Sequence, residues 1–207
     1  MNPHAKRLLF RPPKSISDAK SPALPKLIAV RNNTEMDTNR SRIRDLGIND
    51  RRYLESAQGW LGLGRWMEAN EELELITPKM RAHPDVLCVR WEVYAAAKKW
   101  EMAAEIARSI SVMLPDFAFG WIHWAYSLHE MKRTKEAWGV LLPVADKFPG
   151  EHTIPYNLAC YACQLGDAKA GWQWLEKALE IADESAVKLQ ALEDPDLEPL
   201  WREIAEI

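Results

Sequence analysis

Small and large apolar residues recur along most of this chain at a fixed spacing of 34 residues. Four successive windows of that length begin at Asp50, Pro84, Ala118 and His152. The twentieth residue of every window is small: Ala69, Ala103, Ala137 and Gly171. The eighth residue is alanine in three windows and Trp91 in the second. Recurrence in register over four windows predicts a repeat architecture in which each unit stacks on the next.

Each window has the spacing of two helices joined by a turn. Mostly large apolar residues occupy positions 11, 24 and 27, three to seven residues from the small ones at positions 8 and 20, which is the spacing of one helical face. Turn-tolerant residues stand near position 15: Gly64, Lys98, Lys132 and Gly166. We therefore predict that two antiparallel helices approach closely at the small residues, while the large ones fill the space between pairs.

Prolines mark the departures from a regular repeat. Pro115 and Pro149 stand at position 32 of the two middle windows, where they are expected to end the second helix. Pro78 and Pro143 fall inside the second helix of the first and third windows, so those helices are predicted to be kinked or shortened. The large side chain of Trp91 predicts a locally wider helix pair in the second window.

The chain beyond the fourth window is predicted to close the stack. Ala186, Leu189 and Leu192 give residues 185–192 the spacing of one more amphipathic helix. The segment from Glu193 to Trp201 then predicts a turn whose apolar residues return onto that helix. Stacked repeats need such a cap for solubility, because the last unit would otherwise expose its apolar face.

The pattern resembles the tetratricopeptide repeat family over about residues 50–183. The third and fourth windows match best, through Trp121, Trp124, Ala125, Leu128, Ala137, Leu141, Pro149, Leu158, Ala159, Ala162, Gly166, Asp167, Leu175, Ala178 and Leu179. The resemblance implies an all-α tetratricopeptide α-solenoid of four antiparallel helix pairs plus a C-terminal capping helix. The repeats are expected at about 50–83, 84–117, 118–151 and 152–184, and the cap at 185–207. The closing segment is similar to that of many bacterial members of unknown specific role.

Residues 1–49 differ from the rest in composition and charge. They hold ten Lys/Arg and four acids, a net charge of +6, whereas residues 50–207 hold 17 basic and 26 acidic residues, a net charge of −9. Five prolines and no sustained period in residues 1–35 predict a basic disordered tail. A true start at Met36, or a basic arm for nucleic acid or anionic lipid, are the alternatives. The acidic balance of residues 50–207 argues against nucleic-acid binding by the repeats.

The resemblance places a concave ligand groove along the first helix of each repeat. In the third and fourth windows its positions correspond to Phe119, Ile122, His123, Tyr126, His129, Tyr156, Asn157, Cys160 and Gln164. This lining is aromatic and nearly free of Lys and Arg. Chaperone-binding members grip a peptide carboxylate with Lys and Asn, and only Asn157 matches, so we expect an apolar or helical peptide instead. Packing between neighbouring helices is the alternative role for Tyr126 and Tyr156.

We predict no catalytic site, no metal and no cofactor. Cys160 and Cys163 share a helix face near His123 and His129, a conceivable zinc set. A single CxxC in mid-helix lacks a second pair, however, and cysteine packs well as a small apolar residue. The phosphate-binding loop, the zinc-protease motif and the nucleophile elbow are all missing from the sequence.

The function predicted from these features is a non-enzymatic adaptor or scaffold that binds a peptide or partner domain in the groove. The alternatives are a self-associating structural protein, such as a homodimer formed through Trp172 or Trp174, and a regulatory subunit of an enzyme complex. Three cysteines cannot form a disulfide framework, which favours a reducing compartment and a cytoplasmic location. No apolar run reaches the roughly 18 residues of a membrane span.

Overall fold

The computed structural model describes residues 45–207, and within this range all regular structure is helical. Its α-helices are α1 (Ile48–Gly62), α2 (Trp66–Leu75), α3 (Pro84–Ala96), α4 (Trp100–Met113), α5 (Ala118–Glu130), α6 (Thr134–Leu141), α7 (Thr153–Gln164), α8 (Ala168–Ile181), α9 (Glu184–Glu193) and α10 (Trp201–Glu206). This confirms the all-α class. None of these helices combines the length and apolar character needed to cross a bilayer. Residues 1–44 of the predicted tail, which is assigned to residues 1–49, lie outside the described residues.

The first eight helices form four pairs, each joined by a turn at the predicted place. The residue at position 15 has a left-handed backbone in all four turns, with φ values of 73° at Gly64, 55° at Lys98, 63° at Lys132 and 88° at Gly166. A left-handed residue after a helix end lets the following amides bond back to the last carbonyls. In the second pair, for example, the Lys99 amide reaches the Tyr94 carbonyl at 2.8 Å. The turn conformation therefore recurs even where the residue is not glycine.

Small residues lie where the helices meet, as the repeat pattern predicts. The residues at position 20 are all buried, and so are the alanines at position 8. A Cβ added to Gly171 would stand 2.5 Å from the sulfur of Cys163, and one added to Gly120 would stand 2.5 Å from the backbone nitrogen of Ser111. At both points the approach of two helices requires glycine.

The second pair exchanges a small residue for a large one. Trp91 is 1% exposed and belongs to a buried cluster with Ala103 and Ala107. Position 24 is leucine in the other three windows but Ala107 here, so a smaller residue offsets the volume of the indole. The Trp91 ring also extends to α5, where its Nε1 donates to the Ser127 hydroxyl at 3.1 Å.

Both internal prolines shorten their helices, which confirms the prediction. Helix α2 ends at Leu75, and Pro78 begins a short 3-10 turn, Pro78–Met80. Helix α6 has eight residues and is followed by the 3-10 segment Leu142–Lys147, which contains Pro143. Helices α4 and α8, which contain no proline, run for 14 residues each. Proline lacks the amide needed to continue the helical hydrogen bonds.

The chain closes with a cap at the predicted place but on a different helix face. Helix α9 buries Val187 and Ala191, whereas Leu189 is 62% exposed. Of the predicted apolar face through Ala186, Leu189 and Leu192, only Leu192 packs against the core, and the other two residues are exposed. The predicted return is confirmed, since the 3-10 segment Pro195–Leu200 folds back and the Trp201 indole donates to the Ala191 carbonyl at 3.1 Å.

Candidate functional site

The predicted groove residues lie on α5 and α7, the first helices of the third and fourth pairs. We call the side of α1, α3, α5 and α7 that carries these positions the groove face. The structure sorts the predicted residues into two groups. Phe119, His123 and Tyr126 pack around the Trp91 indole, whereas Ile122 is buried in the core shared with α7. His129 and the predicted residues of α7, Asn157 excepted, meet the C-terminal segment that follows α9.

Stacked aromatic rings hold His123 between α3 and α5. Its imidazole lies 3.8 Å from the Phe119 ring and 4.1 Å from the Trp91 ring, measured between centroids. Its Nδ1 donates to the Phe119 carbonyl at 2.8 Å, since a carbonyl can only accept. Burial lowers the pKa of His123 to about 4. The imidazole is therefore neutral at physiological pH, and its role here is packing.

Tyr126 keeps part of its ring exposed on the groove face. Its edge faces the rings of Trp100 at 5.8 Å and Trp91 at 6.3 Å between centroids. Burial, and then the negative charge of Glu130 one helical turn further on, raise the pKa of Tyr126. The ring is thus fixed by aromatic neighbours on one side, which is how a rigid interface anchor is held.

The groove face of α7 is covered by the chain itself. The Tyr156 hydroxyl donates to a carboxylate oxygen of Asp194 at 3.0 Å, and the Cys160 thiol contacts the same oxygen at 3.7 Å. Both residues are buried, and Asp194 is only 5% exposed. Burial raises the pKa of Asp194 and of its two partners. Tyr156 and Cys160 therefore act as internal contacts of the cap.

A second set of contacts joins the C-terminal segment to α5 and to the end of α7. His129 Nε2 lies 2.9 Å from a carboxylate oxygen of Asp196, and its Nδ1 lies 3.0 Å from the Thr134 hydroxyl. The Gln164 amide donates to the Asp196 carbonyl at 3.4 Å. These bonds join the segment to two helices, so the predicted groove positions His129 and Gln164 also have partners within the chain.

Tyr161 has a buried hydroxyl without a hydrogen-bond partner within residues 45–207. The side chain is 1% exposed and its ring lies 4.9 Å from the His129 ring. Burial raises its pKa, and so do the nearby carboxylates of Asp196 and Glu130. Buried polar atoms without partners are uncommon and call for an explanation. Sequence reasoning missed Tyr161, because position 10 is not among the groove positions of the family.

Glu92 occupies position 9 of α3, the same repeat position as Tyr126 on α5. It is half-buried, and no ion pair or hydrogen bond compensates its carboxylate among the described residues. Burial raises its pKa to about 7. The groove face of α3 therefore carries an acid that is only partly ionised at neutral pH.

The cysteines do not form a metal or disulfide centre within residues 45–207. None of the three forms a disulfide there, all three are buried, and no three His, Cys, Asp or Glu side chains come together there as metal ligands would. Burial raises the pKa of the Cys163 thiol to about 11 and also raises that of the Cys160 thiol. Both sulfurs are accordingly protonated at neutral pH, the state in which a thiol is a poor nucleophile and metal ligand.

Solved structures share this arrangement of helices. The segment of MamA from residue 41 to the end, from Desulfovibrio magneticus RS-1, superposes with a TM-score of 0.60 and 17% identity, over 78% of this chain and 96% of that one. The MamA RS-1 ArsTM double mutant gives a TM-score of 0.58 at 17% identity, over 78% and 92%. MamA is a tetratricopeptide helical solenoid. The fold is therefore a tetratricopeptide-type solenoid.

The likeness extends to the fold and no further. No protein-family model matches the chain, and no curated protein matches its sequence. At 17% identity the ligands of the two proteins cannot be equated. The assignment of the groove residues to partner binding thus stays a prediction, and the structure narrows it to those on the uncovered part of the groove face.

Proposed function

We propose that this chain is a non-enzymatic adaptor that binds a segment of a partner protein on the groove face of α3 and α5. The observation that supports it is the partly exposed Tyr126 ring, which is braced by Trp91 and Trp100. Aromatic residues held in this way supply much of the energy of protein interfaces, because they bury area without losing much conformational freedom. Phe119 on α5 and Asn157 on α7 are also partly exposed, whereas Ile122 is buried.

The chemistry of the described residues supports binding rather than catalysis. The one histidine with a strongly lowered pKa, His123, is enclosed by aromatic rings, and His129 is engaged with Asp196 and Thr134. The thiols of Cys160 and Cys163 are buried and protonated. Because nucleophiles and general bases must reach a substrate, we assign no enzymatic step to these side chains. The lack of a disulfide among the cysteines of the described residues also supports our inference that the chain works in the cytoplasm.

Self-association through Trp172 or Trp174 is the second candidate function. Both rings are half-buried, and each has a partner within the chain. Trp172 Nε1 donates to Glu176 at 2.7 Å, and the Trp174 ring lies under the Lys177 ammonium at 3.9 Å. These contacts reduce the surface that either ring offers to a second copy, so we favour the adaptor.

Site-specific photo-crosslinking in the native cell tests the proposal. A benzophenone amino acid replaces Tyr126 in the full-length tagged chain, and adducts formed on irradiation are identified by mass spectrometry. We expect a distinct heterologous adduct from this position. The matched control places the same probe at Glu180, an exposed residue on α8, the second helix of its pair, where that adduct should be missing.

A substitution distinguishes binding from folding. Tyr126→Ala should remove the partner from affinity-purified material and leave the far-UV helical signal unchanged. Tyr156 is left intact because its hydroxyl is part of the buried contact with Asp194. If the same adduct forms from positions 126 and 180, or capture survives Tyr126→Ala, the groove proposal is wrong. If position 126 crosslinks only to a second copy of the chain, self-association is the function.

A further inference from the structure

The turns of the first three helix pairs concentrate positive charge on an otherwise acidic body. We call residues 63–68, 97–102 and 131–136, which lead from the first helix of each pair into the second, the turn edge. It holds six basic and three acidic residues, a net charge of +3, whereas the rest of residues 50–207 has a net charge of −12. The equivalent segment of the fourth pair, residues 165–170, holds one of each. An anionic partner is therefore attracted to the turns of the first three pairs.

The segments of the turn edge lie next to one another. The pairs repeat in register, so their turns recur on one side of the stack. The Lys99 ammonium of the second turn lies 5.9 Å from the centre of the Trp66 ring of the first. The Trp100 ring, also of the second turn, meets the Tyr126 ring of α5 at 5.8 Å. The turn edge is accordingly one surface that continues from pair to pair.

Four lysines supply the uncompensated charge of the turn edge. Its two arginines, Arg65 and Arg133, are each paired with the glutamate three residues further on. The third acid of the edge is Glu101. The lysines form no ion pair with a carboxylate of residues 45–207, and all of them are exposed: Lys98, Lys99, Lys132 and Lys135. Their ammonium groups are thus available to an anion from outside.

Two of these lysines stand in a strained backbone conformation. Lys98 and Lys132 have left-handed φ values of 55° and 63°. That conformation is unfavourable for a residue with a Cβ, and the first and fourth turns use Gly64 and Gly166 at the same position. Two turns thus keep strain that glycine would relieve, and display an ammonium group instead. Strain retained at an exposed position points to a role outside the fold.

Large apolar side chains protrude from the same edge. Leu63, Met67 and Met102 are 72%, 59% and 46% exposed. Trp66 and Trp100 lie beside them in the sequence and are partly exposed. Exposed apolar groups among lysines and indoles are typical of surfaces that lie at a lipid–water interface. A rigid protein partner would need a hollow for each protruding side chain, whereas a layer of lipid headgroups accommodates all three.

We propose that the turn edge binds the surface of an anionic lipid bilayer. Leu63, Met67 and Met102 enter the headgroup region, and the lysines lie against lipid phosphates. Electrostatic interactions fall off within a Debye length of about 8 Å at physiological ionic strength, so the acids elsewhere on the body oppose this binding only weakly. The inference is independent of the proposed adaptor function and goes beyond it, because it places the chain at a membrane surface.

A solvent-sensitive fluorophore at the turn edge tests the proposal. Nitrobenzoxadiazole is attached to Leu63→Cys in the full-length chain, whose own three cysteines are buried, and wild type treated in the same way is the blank. Mixed vesicles of phosphatidylglycerol and phosphatidylcholine should shift the emission to the blue and raise its intensity, because the probe leaves water. Vesicles of phosphatidylcholine alone and soluble glycerol phosphate should leave the emission unchanged, since neither offers both negative charge and an apolar phase.

A probe at Val112→Cys is the matched control. Val112 is apolar and 75% exposed, but it lies near the end of α4, outside the turn edge. The control is needed because residues 1–44 carry a net positive charge of their own, which also attracts anionic vesicles. Position 63 should respond to the mixed vesicles, and position 112 should not. An equal response at the two positions, or none at position 63, would overturn the proposal.

Removal of charge provides a second measurement. Lys98→Gln combined with Lys132→Gln should weaken binding to the mixed vesicles at least about tenfold in a sedimentation assay, since each lysine adds to the attraction. Glutamine also has a Cβ, so the strain of both turns is unchanged. The control pair, Lys79→Gln with Lys169→Gln, removes two exposed lysines outside the turn edge and should weaken binding less than about twofold. Equal losses from the two pairs would indicate diffuse attraction and refute the proposal.

The same fluorophore separates lipid from protein as the partner. If the emission from position 63 responds to poly-glutamate but not to the mixed vesicles, the turn edge is a docking surface for an acidic protein segment and the lipid proposal fails. A chain that does not bind vesicles would leave the adaptor proposal standing, since that proposal is tested by crosslinking from position 126 and by Tyr126→Ala.

Discussion

Helices α5 and α7 both present tyrosine on the groove face, and the two side chains have different environments. On α7 the hydroxyl of Tyr156 is buried against Asp194 of the C-terminal segment. On α5 the ring of Tyr126 is braced from one side and partly exposed on the other. The groove of this solenoid thus has a covered half, α7 with the C-terminal segment, and an open half, α3 with α5.

The difference shows that a repeat position does not define a role by itself. The last repeat has no following pair to pack on, so its exposed apolar surface must be closed by the rest of the chain. Here the closing segment runs across the groove face as well as the end of the stack, and reaches α5 through His129 and Asp196. Groove residues of the terminal repeat are consequently used for folding, and we propose partner binding only for the interior repeats.

The largest loss of stability is expected from substitution of Leu197, which packs the C-terminal segment of the covered half into the core. Leu197 is fully buried in the 3-10 segment, so Leu197→Ala should lower the free energy of unfolding by about 2–5 kcal/mol through lost burial and a cavity. Urea denaturation measures the change. Leu189→Ala on α9 is the control and should cost less than about 0.5 kcal/mol, since that side chain is exposed. Similar costs for both would show that the segment is not seated as described.

Removing one hydroxyl from each half compares them directly. Tyr156→Phe leaves the buried Asp194 carboxylate without its closest side-chain donor, and should cost about 1–3 kcal/mol. Tyr126→Phe removes a hydroxyl on the open half and should cost less than about 0.5 kcal/mol. Thermal and urea unfolding of the two variants provide the measurement. Equal losses of stability would contradict the division into covered and open halves.

The open half should also give a distinct pH dependence. The pKa of Glu92 is raised from 4.5 to about 7, so the folded state holds a proton that the unfolded chain has released. Stability is then lost as the pH rises from about 4.5 to about 7. Glu92→Gln removes this loss. The free energy of unfolding of the variant minus that of the wild type should therefore be about 1–2 kcal/mol larger at pH 8 than at pH 4, after allowance for solvent screening.

His123 changes the stability with pH in the opposite direction to Glu92, and this contribution becomes measurable in Glu92→Gln. The pKa of His123 is lowered from 6.5 to about 4, so its contribution to stability is lost as the pH falls across that range. In Glu92→Gln, the free energy of unfolding should therefore rise with pH between about 4 and 6.5. Glu105→Gln should leave the wild-type profile unchanged. A Glu92→Gln profile parallel to the wild type would show that Glu92 is fully solvated.

The smallest effect concerns the turns, which are alike in both halves. Lys98 of the open half and Gly166 of the covered half share a left-handed conformation. Lys98→Gly should stabilise the fold by about 0.5–1 kcal/mol, because the relief of steric strain exceeds the added entropy of the unfolded chain. Gly166→Lys should destabilise it by about 1 kcal/mol for the converse reason. The two substitutions should shift the midpoint of thermal unfolding in opposite directions. Shifts in the same direction would mean that the two turns differ.

The helix pairs and turns were predictable because they depend on local and nearest-neighbour physics. The small residues at positions 8 and 20 and the turn residue at position 15 recur every 34 residues. In the second window Trp91 stands where the other windows have alanine, and Ala107 stands where they have leucine. Both replacements are visible in the sequence once the windows are compared. Sequence reasoning predicts a wider pair there, and the structure places both residues within one buried cluster.

The face of the capping helix and the state of the candidate site were not predictable in this way. The spacing of Ala186, Leu189 and Leu192 fits one face of α9, but Val187 and Ala191 fit another, and only contact with the fourth pair selects between them. The pairing of Tyr156 with Asp194 and of His129 with Asp196 joins residues 38 and 67 positions apart. No period connects a repeat to a segment that occurs once.

The sequence by itself thus determined an all-helical stack with a 34-residue unit, because each helix pair repeats the same local conformations and the same nearest neighbours. Tertiary structure alone decided which part of the groove face is covered. That outcome depends on where the unique C-terminal segment finds buried hydrogen-bond partners, and burial of polar groups is settled only when distant parts of the chain meet.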